Sequence, residues 1–532
     1  MSERSVDWPP YFSGLYIHRE LELAIDLSLA QISPALEAEL TPRFAAAFAQ
    51  MHALESGAIA NPDERRMVGH FWLRAPELAP NGELAESIRN TREAVTTFAR
   101  GVLDQTIRPE RHERFTDLLC IGIGGSALGP QLLVEALAAA TEMGGLRTHF
   151  IDNTDPEGID RVVAPLLPRL GTTLVVVTSK SGGTPETRNG MLEVAHVFES
   201  HDLEMGPQAI AITGRGSKLD ATAREENWLA RFYMEDWVGG RTSLFSAVGL
   251  VPAALAGIDT GAMARGAAVM DEATRVANLA ENPAARLALG WYAAGEGVGQ
   301  RDMVMLPYKD SLLLFSRYLQ QLVMESLGKG TDLDGKAVKQ GIAVYGNKGS
   351  TDQHAYVQQL REGLDNFFVT FVEVLRGRDG GSVTVEHDTS SADYLSGFLH
   401  GTRQALAENG RRSITITVPV VDARRLGALI ALYERTVGLY AHLVNINAYH
   451  QPGVEAGKRA AGERLQLQHA VLAALRDADG HALGLDALAA SAGSDDLIAV
   501  FQTVRHLDAN RPEVRLSGDP RKPEGLRVQL TA

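Results

Sequence analysis

The segment Ser179-Lys180-Ser181-Gly182-Gly183-Thr184-Pro185-Glu186-Thr187 places hydroxyls, an ammonium and a glycine pair where an apolar run gives way to a helical pattern. That combination suits an oxyanion such as phosphate. Ser179, Ser181, Thr184, Thr187 and Lys180 supply donors, the glycines admit backbone amides, and the helix start adds the positive end of its dipole. The plainer alternative is a polar strand-to-helix turn with an N-cap, which uses the same residue types. A second segment, Cys120-Ile121-Gly122-Ile123-Gly124-Gly125-Ser126-Ala127-Leu128-Gly129-Pro130, also follows an apolar run and opens a helix. Two such loops point to one shared anionic ligand. Gly122, Gly124 and Ala127 also satisfy the dinucleotide fingerprint G-x-G-x-x-G/A, with Asp152 ending the next strand-like run. The acidic partner of such a site belongs about 20 residues after the glycines, whereas Asp152 lies about 30 past Gly122. A dinucleotide would also leave the hydroxyl-rich loop unexplained.

Groups able to move protons occur further along. Gln321 and Glu325 stand four apart on one helical face, making Glu325 a candidate base. Taken alone, it reads more readily as a helix-end carboxylate paired with Lys329. Gln451, Glu455 and Lys458 share another helical face after the turn Tyr449-His450-Gln451-Pro452-Gly453, and an intrahelical Glu455–Lys458 pair is the simpler reading there. Arg241 sits in Gly239-Gly240-Arg241-Thr242-Ser243, either aimed at a ligand or capping the preceding chain. His354 follows a strand-like run and begins a helix, where a lone histidine is more often structural.

The elements that must position these groups alternate in type. Residues up to about 110 carry helical spacing, as in Leu21 to Ile32 and Pro42 to Leu54. From Thr116, short apolar runs (Leu118 to Ile123, His149 to Asp152, Leu174 to Thr178, Ala209 to Thr213) alternate with helix patterns. This predicts an α/β fold with a doubly wound parallel sheet, with ligands bound beyond the strands' carboxyl ends. A helical stretch from Ser243 leads to a second series: Met303 to Leu306, Ile342 to Tyr345, Phe367 to Val374 and Ile414 to Val418. The expected organisation is a helical lead-in over 1–110, α/β domains over 111–300 and 301–461, and a small cap over 462–532. The cap's order, helices at 465–475, 483–490 and 497–507 and then strand-like runs near Val514 and Val528, is that of a winged-helix-like appendage.

The 532 residues, 45% apolar and 22% charged, describe a multidomain globule. A net charge of −15 argues against a general nucleic-acid binder. The single cysteine, Cys120, has no intrachain disulfide partner and reads as a buried, inert residue. Leu244 to Ile258, the longest apolar stretch, is too short for a membrane span of roughly 20 residues and reads as a buried helix. Met1 to Trp8 lacks the pattern of a secretory signal, so a cytoplasmic protein is expected.

The segments IGIGGSALGP, SKSGGTPET, GGRTSLFSAVGL, MESLGKG, GNKGSTDQHAYVQQLREG and NAYHQPGVEAGK, in this order across about 115 to 460, resemble the glucose-6-phosphate isomerase (phosphoglucose isomerase) family. The resemblance implies two sugar-isomerase (SIS) α/β domains, a cytoplasmic homodimer, no metal or organic cofactor, and a sugar phosphate as ligand. It implies interconversion of glucose 6-phosphate and fructose 6-phosphate in glycolysis and gluconeogenesis. By motif, Ser179, Lys180, Ser181, Thr184 and Thr187 surround the phosphate, and Gly124 and Ser126 line the sugar. Glu325 is the base between C1 and C2, and Arg241 stabilises the cis-enediol(ate). His354, supplied across the dimer, and Lys458 open the ring, and Gln321 and Gln451 contact substrate. Gly182 and Gly183 replace Phe and Thr of the animal pattern, Ala127 replaces Asp and Pro452 replaces Trp, which marks a bacterial-type branch.

Overall fold

The computed structural model describes residues 10–61, 65–138 and 144–531. Residues 1–450 form one compact unit and residues 451–532 another. In the first unit the short apolar runs become buried strands of two doubly wound sheets. The first sheet has the order Arg147–Ile151, Asp117–Ile121, Thr173–Ser179, Ala209–Thr213, Ala230–Tyr233, all parallel. Numbered along the chain this is 2-1-3-4-5. The winding therefore reverses between Asp117–Ile121 and Thr173–Ser179, and a crevice opens beyond their carboxyl ends. Both glycine and hydroxyl loops leave from those two ends. Ala230–Tyr233 escapes the sequence pattern because Phe232 alone of its four residues is fully buried.

The second sheet has the order Leu15–His18, Leu23–Asp26, Ser413–Val418, Phe367–Val374, Asp302–Pro307, Val344–Tyr345. Its last four strands are parallel, and the N-terminal hairpin adds an antiparallel edge through Thr415 opposite Asp26. The helical spacing read over Leu21 to Ile32 is thus overridden. Leu21, Leu23, Ile25 and Leu27 are all buried, an alternation of period two that suits a strand. The neighbouring helix runs over Pro34–Glu55, started by the Ser33 side chain accepting from Leu36 N.

Helix Ala423–Leu443 is buried along nearly its whole length and crosses helix Thr260–Thr274. The backbones touch at reciprocal glycines: a Cβ on Gly266 would lie 1.8 Å from Arg424 O, and one on Gly427 would lie 2.1 Å from Met263 O. Beside this crossing lies a buried ion cluster. Arg74 grips Asp271 with Nε and Nη2 at 2.7 and 2.9 Å, and Arg435 Nε reaches the same carboxylate at 2.9 Å. Arg74 also binds Glu434, and Arg435 also binds Glu55. Burial would raise the Asp271 carboxyl, but the two guanidinium groups outweigh it and hold it below the usual carboxylate range. Glu434, with Arg74 as its bonded cation, is lifted by burial to about 7.

The second unit runs helix Pro452–Asp477, strand Leu483–Gly484, helices Leu485–Ser491 and Leu497–Asn510, and strands Val514–Ser517 and Arg527–Leu530. Its sheet places Arg527–Leu530 between the other two strands. Val471, Leu475, Leu488, Val500, Val504 and Val528 form its core. The first helix is continuous through 462, and the compact unit begins at Gln451. Among the described residues no helix is long and apolar enough to cross a membrane.

Removing one carboxylate charge from a buried cluster leaves its cations under-compensated. Asp271→Asn is expected to destabilise the protein by about 3–5 kcal/mol, measured by urea unfolding followed by circular dichroism; a loss under about 1 kcal/mol contradicts this account of the cluster.

Candidate active site

The hydroxyl-rich loop leaves strand Thr173–Ser179 and enters helix Pro185–Glu199. Ser179 is buried at the strand end and its hydroxyl donates to Thr184 Oγ1 at 3.2 Å. Ser181 Oγ accepts from Gly183 N at 3.1 Å. Gly182 takes φ +66°, and a Cβ there would lie 2.2 Å from Leu219 N, so glycine is required twice over. Thr187 Oγ1, in the helix's first turn, is buried without a hydrogen-bond partner among the described residues. A buried hydroxyl left unmatched is costly unless something accepts it or donates to it, and it lies at the positive end of the helix dipole. Lys180 Nζ donates to Asp236 O and Val238 O, both at 3.0 Å. The ammonium thereby ties this loop to the chain leading to Arg241.

The glycine loop forms a tight turn over Gly124–Ser126 before helix Leu128–Leu137. Gly124 takes φ +58°, and a Cβ there would lie 3.3 Å from Gln321 Nε2. A Cβ on Gly125 would lie 2.0 Å from Gly240 O. The glycines thus let this loop press against both the Gln321 helix and the Arg241 turn. Asp152, which a dinucleotide reading would have placed on a ribose, accepts from Gln131 Nε2 at 2.9 Å and Arg317 Nη2 at 3.2 Å. Cys120 is buried, and burial pushes its thiol well up, consistent with an inert residue.

Arg241 and Glu325 meet here. Arg241 is buried in the turn Gly240–Thr242. Its Nη1 donates to Ala448 O at 3.0 Å and Ser326 Oγ at 3.3 Å, and its Nη2 to His450 O at 3.4 Å. Its Nε lies 3.4 Å from Glu325 Oε2. Gln321 and Glu325 both belong to the π-helical segment Gln320–Glu325, a widened turn that is common at functional sites. Glu325 Oε2 is buried without a hydrogen bond among the described residues. That oxygen can take a proton, and the guanidinium beside it can hold negative charge. Lys329 does not pair with the Glu325 carboxylate: its ammonium is buried and donates to Glu325 O at 2.8 Å.

Among the sequence-predicted residues, Gly124 and Gln321 meet, Arg241 and Glu325 meet, and Ser179, Ser181 and Thr184 form one loop. Ser126 is half-buried at the end of the glycine turn. His354 is exposed at the end of the turn Thr351–His354. Among the described residues it makes no hydrogen bond or ion pair to Glu325 or Arg241. The turn is anchored by Asp352, which accepts from Asn347 N at 2.7 Å and Tyr356 Oη at 2.5 Å, while Gln353 Nε2 donates to Phe398 O at 3.1 Å. Gln451 and Lys458 lie on the second unit, exposed at the start of and on helix Pro452–Asp477. The Glu455 side chain lies outside the described residues. Ser326, Asp352, Lys329 and the carbonyls of Ala448 and His450 were not legible as site components; their one signal is that they fall inside the six motifs. Among the described residues no group of three or more His, Cys, Asp or Glu could hold a metal ion.

Comparison with known proteins identifies the family. The family model described as phosphoglucose isomerase matches residues 41–407 and 364–483. A glucose-6-phosphate isomerase of Gloeothece citriformis is 59% identical over 524 residues, covering 98% of this chain and 99% of that protein. One from Nostoc punctiforme is 60% identical over 525 residues, again with 98% and 99% covered. The crystal structure of a glucose-6-phosphate isomerase from Chlamydia trachomatis superposes with a TM-score of 0.75 at 26% identity, covering 86% of this chain and 90% of that one. The chain belongs to the phosphoglucose isomerase family.

Proposed function

We propose that this protein interconverts glucose 6-phosphate and fructose 6-phosphate by proton transfer through a cis-enediol(ate), serving glycolysis and gluconeogenesis. The observation that carries the reading is the pairing of Glu325 with Arg241 beside the switch-point crevice. A carboxylate in water is too weak to deprotonate a carbon next to a carbonyl unless the charge appearing on oxygen is stabilised. A preorganised donor contributes about 3 kcal/mol to that stabilisation. Arg241 suits the task because it stays charged at every working pH and three oxygens fix its fork. Glu325 then takes the proton from one carbon and returns it to the neighbour on the same face.

In this reading Ser179, Lys180, Ser181, Thr184 and Thr187 hold the phosphate, far from the reacting carbons, so that its binding energy keeps the open-chain sugar in register. Gly124, Ser126, Gln321 and Gln451 contact the sugar, and His354 and Lys458 open the ring. We read the enzyme as a cytoplasmic homodimer in which His354 serves the partner's site. In support, His354 is exposed on an anchored turn, and exposed Tyr394 and Phe398 lie on the helix whose Phe398 carbonyl accepts from Gln353. We read the two sheets as two sugar-isomerase domains and the C-terminal unit as a winged-helix-like structural cap.

EDTA-treated protein incubated with fructose 6-phosphate in D2O is expected to form glucose 6-phosphate carrying deuterium at C2, seen by proton NMR. Glu325→Gln is expected to abolish turnover while phosphosugar binding persists; binding without product from the wild-type protein would instead indicate a sensor. Mixing His354→Ala with Glu325→Gln subunits is expected to restore activity, since a shared site leaves some sites intact. Each variant staying inactive in the mixture would place His354 within its own subunit's site.

A further inference from the structure

Lys329 opens the short strand Lys329–Thr331 and is buried. A buried ammonium is costly without a partner. Its hydrogen bond goes to the backbone carbonyl of Glu325 at 2.8 Å, the last residue of the π segment. Among the described residues no carboxylate lies within ion-pair distance of it. The charged groups facing it are Arg241, from the turn Gly240–Thr242, and Glu325 itself, while the paired strand brings neutral Gln340 opposite. One carboxylate is therefore accompanied by two cations. When Glu325 takes a substrate proton it becomes neutral and negative charge appears on the substrate oxygen. The charge shifts position without changing in amount, and fixed cations near both positions favour the transfer.

We propose, on the reading of Glu325 as base and Arg241 as oxyanion partner, that Lys329 is a positioning residue for proton transfer: its ammonium clamps the carbonyl end of the π segment, and with it the Glu325 side chain, while adding a second positive charge beside Arg241. A clamp on Glu325 O acts on the base without touching substrate. Removing it should lower kcat more than it changes KM. Burial, reinforced by the Arg241 charge and opposed by Glu325, pushes the Lys329 ammonium down to about 8. The cation is therefore present at neutral pH and is lost as pH rises through about 8. The pH profile of kcat/KM, which reports groups of the free enzyme, should carry an alkaline limb there.

The test is steady-state kinetics of the full chain on fructose 6-phosphate from pH 6 to 10. Wild-type rates are measured first, because an inactive wild type refutes the reading of Glu325 and Arg241 beneath the proposal. Lys329→Met is expected to lower kcat about tenfold or more, short of the about 100-fold or larger loss for a donor on the oxyanion itself. Its KM should stay within about threefold, and the alkaline limb should disappear. Lys329→Arg, whose charge does not titrate in this range, should recover most of the rate and hold it to higher pH. An active wild type combined with a Lys329→Met variant of unchanged kcat and unchanged limb overturns the proposal, as does a variant changed in KM alone. Should Lys329→Met fail to fold by circular dichroism, an unchanged alkaline limb in Lys329→Arg overturns it equally.

Discussion

The site depends on one constraint, that a buried guanidinium be held at a fixed angle beside a carboxylate drawn from a different part of the chain. Arg241 follows the last strand of the first sheet, and Glu325 follows the first parallel strand of the second. Neither could be positioned by local structure alone. The carbonyls of Ala448 and His450 and the hydroxyl of Ser326 fix the Arg241 fork from a third direction. Those carbonyls follow helix Ala423–Leu443, which the reciprocal glycines and the Asp271 cluster lock against helix Thr260–Thr274. The ion cluster and the site are thus mechanically continuous, although no cluster residue needs to touch a substrate. A buried ion pair is weak evidence for net stability; its geometric value here is that five charged side chains from four parts of the chain, Glu434 and Arg435 sharing one helix, can satisfy one another in few arrangements.

The parallel strands of the two sheets share the order 2-1-3-4, and each set has a winding reversal, yet their crevices are filled differently. In the first, the loops beyond the reversal are built from glycine and hydroxyl residues, which keep bulk out. In the second, the equivalent loops follow Asp302–Pro307 and Phe367–Val374, and Lys309 Nζ bridges them by donating to Arg376 O at 3.3 Å and also to Gly377 O. A long side chain spans the gap that glycines leave open in the first sheet. Fold topology therefore offers two crevices, and residue choice at the loop ends gives one of them a glycine and hydroxyl lining of the kind that suits an oxyanion.

The parts of this arrangement legible in sequence are those with a local physical cause. Apolar runs ending in Gly, Ser or Thr marked the parallel strands, because a strand covered on both faces must be apolar throughout. The same runs placed both loops correctly at the switch point. Elements whose cause is distant were hidden. Leu23–Asp26 is a strand because the edge Ser413–Val418, nearly 400 residues away in sequence, accepts it, and its alternation was short enough to pass as helical. The i, i+4 spacing of Glu325 and Lys329 suggested a surface ion pair, but burial and the π turn send the ammonium to a carbonyl instead. The roles of His354 and Lys458 rested on motif resemblance alone, since local spacing along the chain ties neither to Glu325.

A chain with net charge −15 that binds a doubly charged phosphate needs its attraction to be short-ranged. Repulsion from the surface is screened over about 10 Å at ordinary ionic strength, so it acts on the approach more than on the bound sugar. The hydroxyl-rich loop itself offers mostly neutral hydroxyls and amides, beside the ammonium of Lys180, oriented by the strand end and the helix start. Such dipoles are costly to rotate once built, and they act fully only on an anion that reaches hydrogen-bonding distance. Further positive charge lies beside Glu325, where Arg241 and Lys329 face one carboxylate among the described residues. This division follows from the chemistry. The phosphate keeps its charge throughout the reaction and needs holding, whereas the charge on the sugar oxygen exists only at the moment of proton transfer and needs a field already in place.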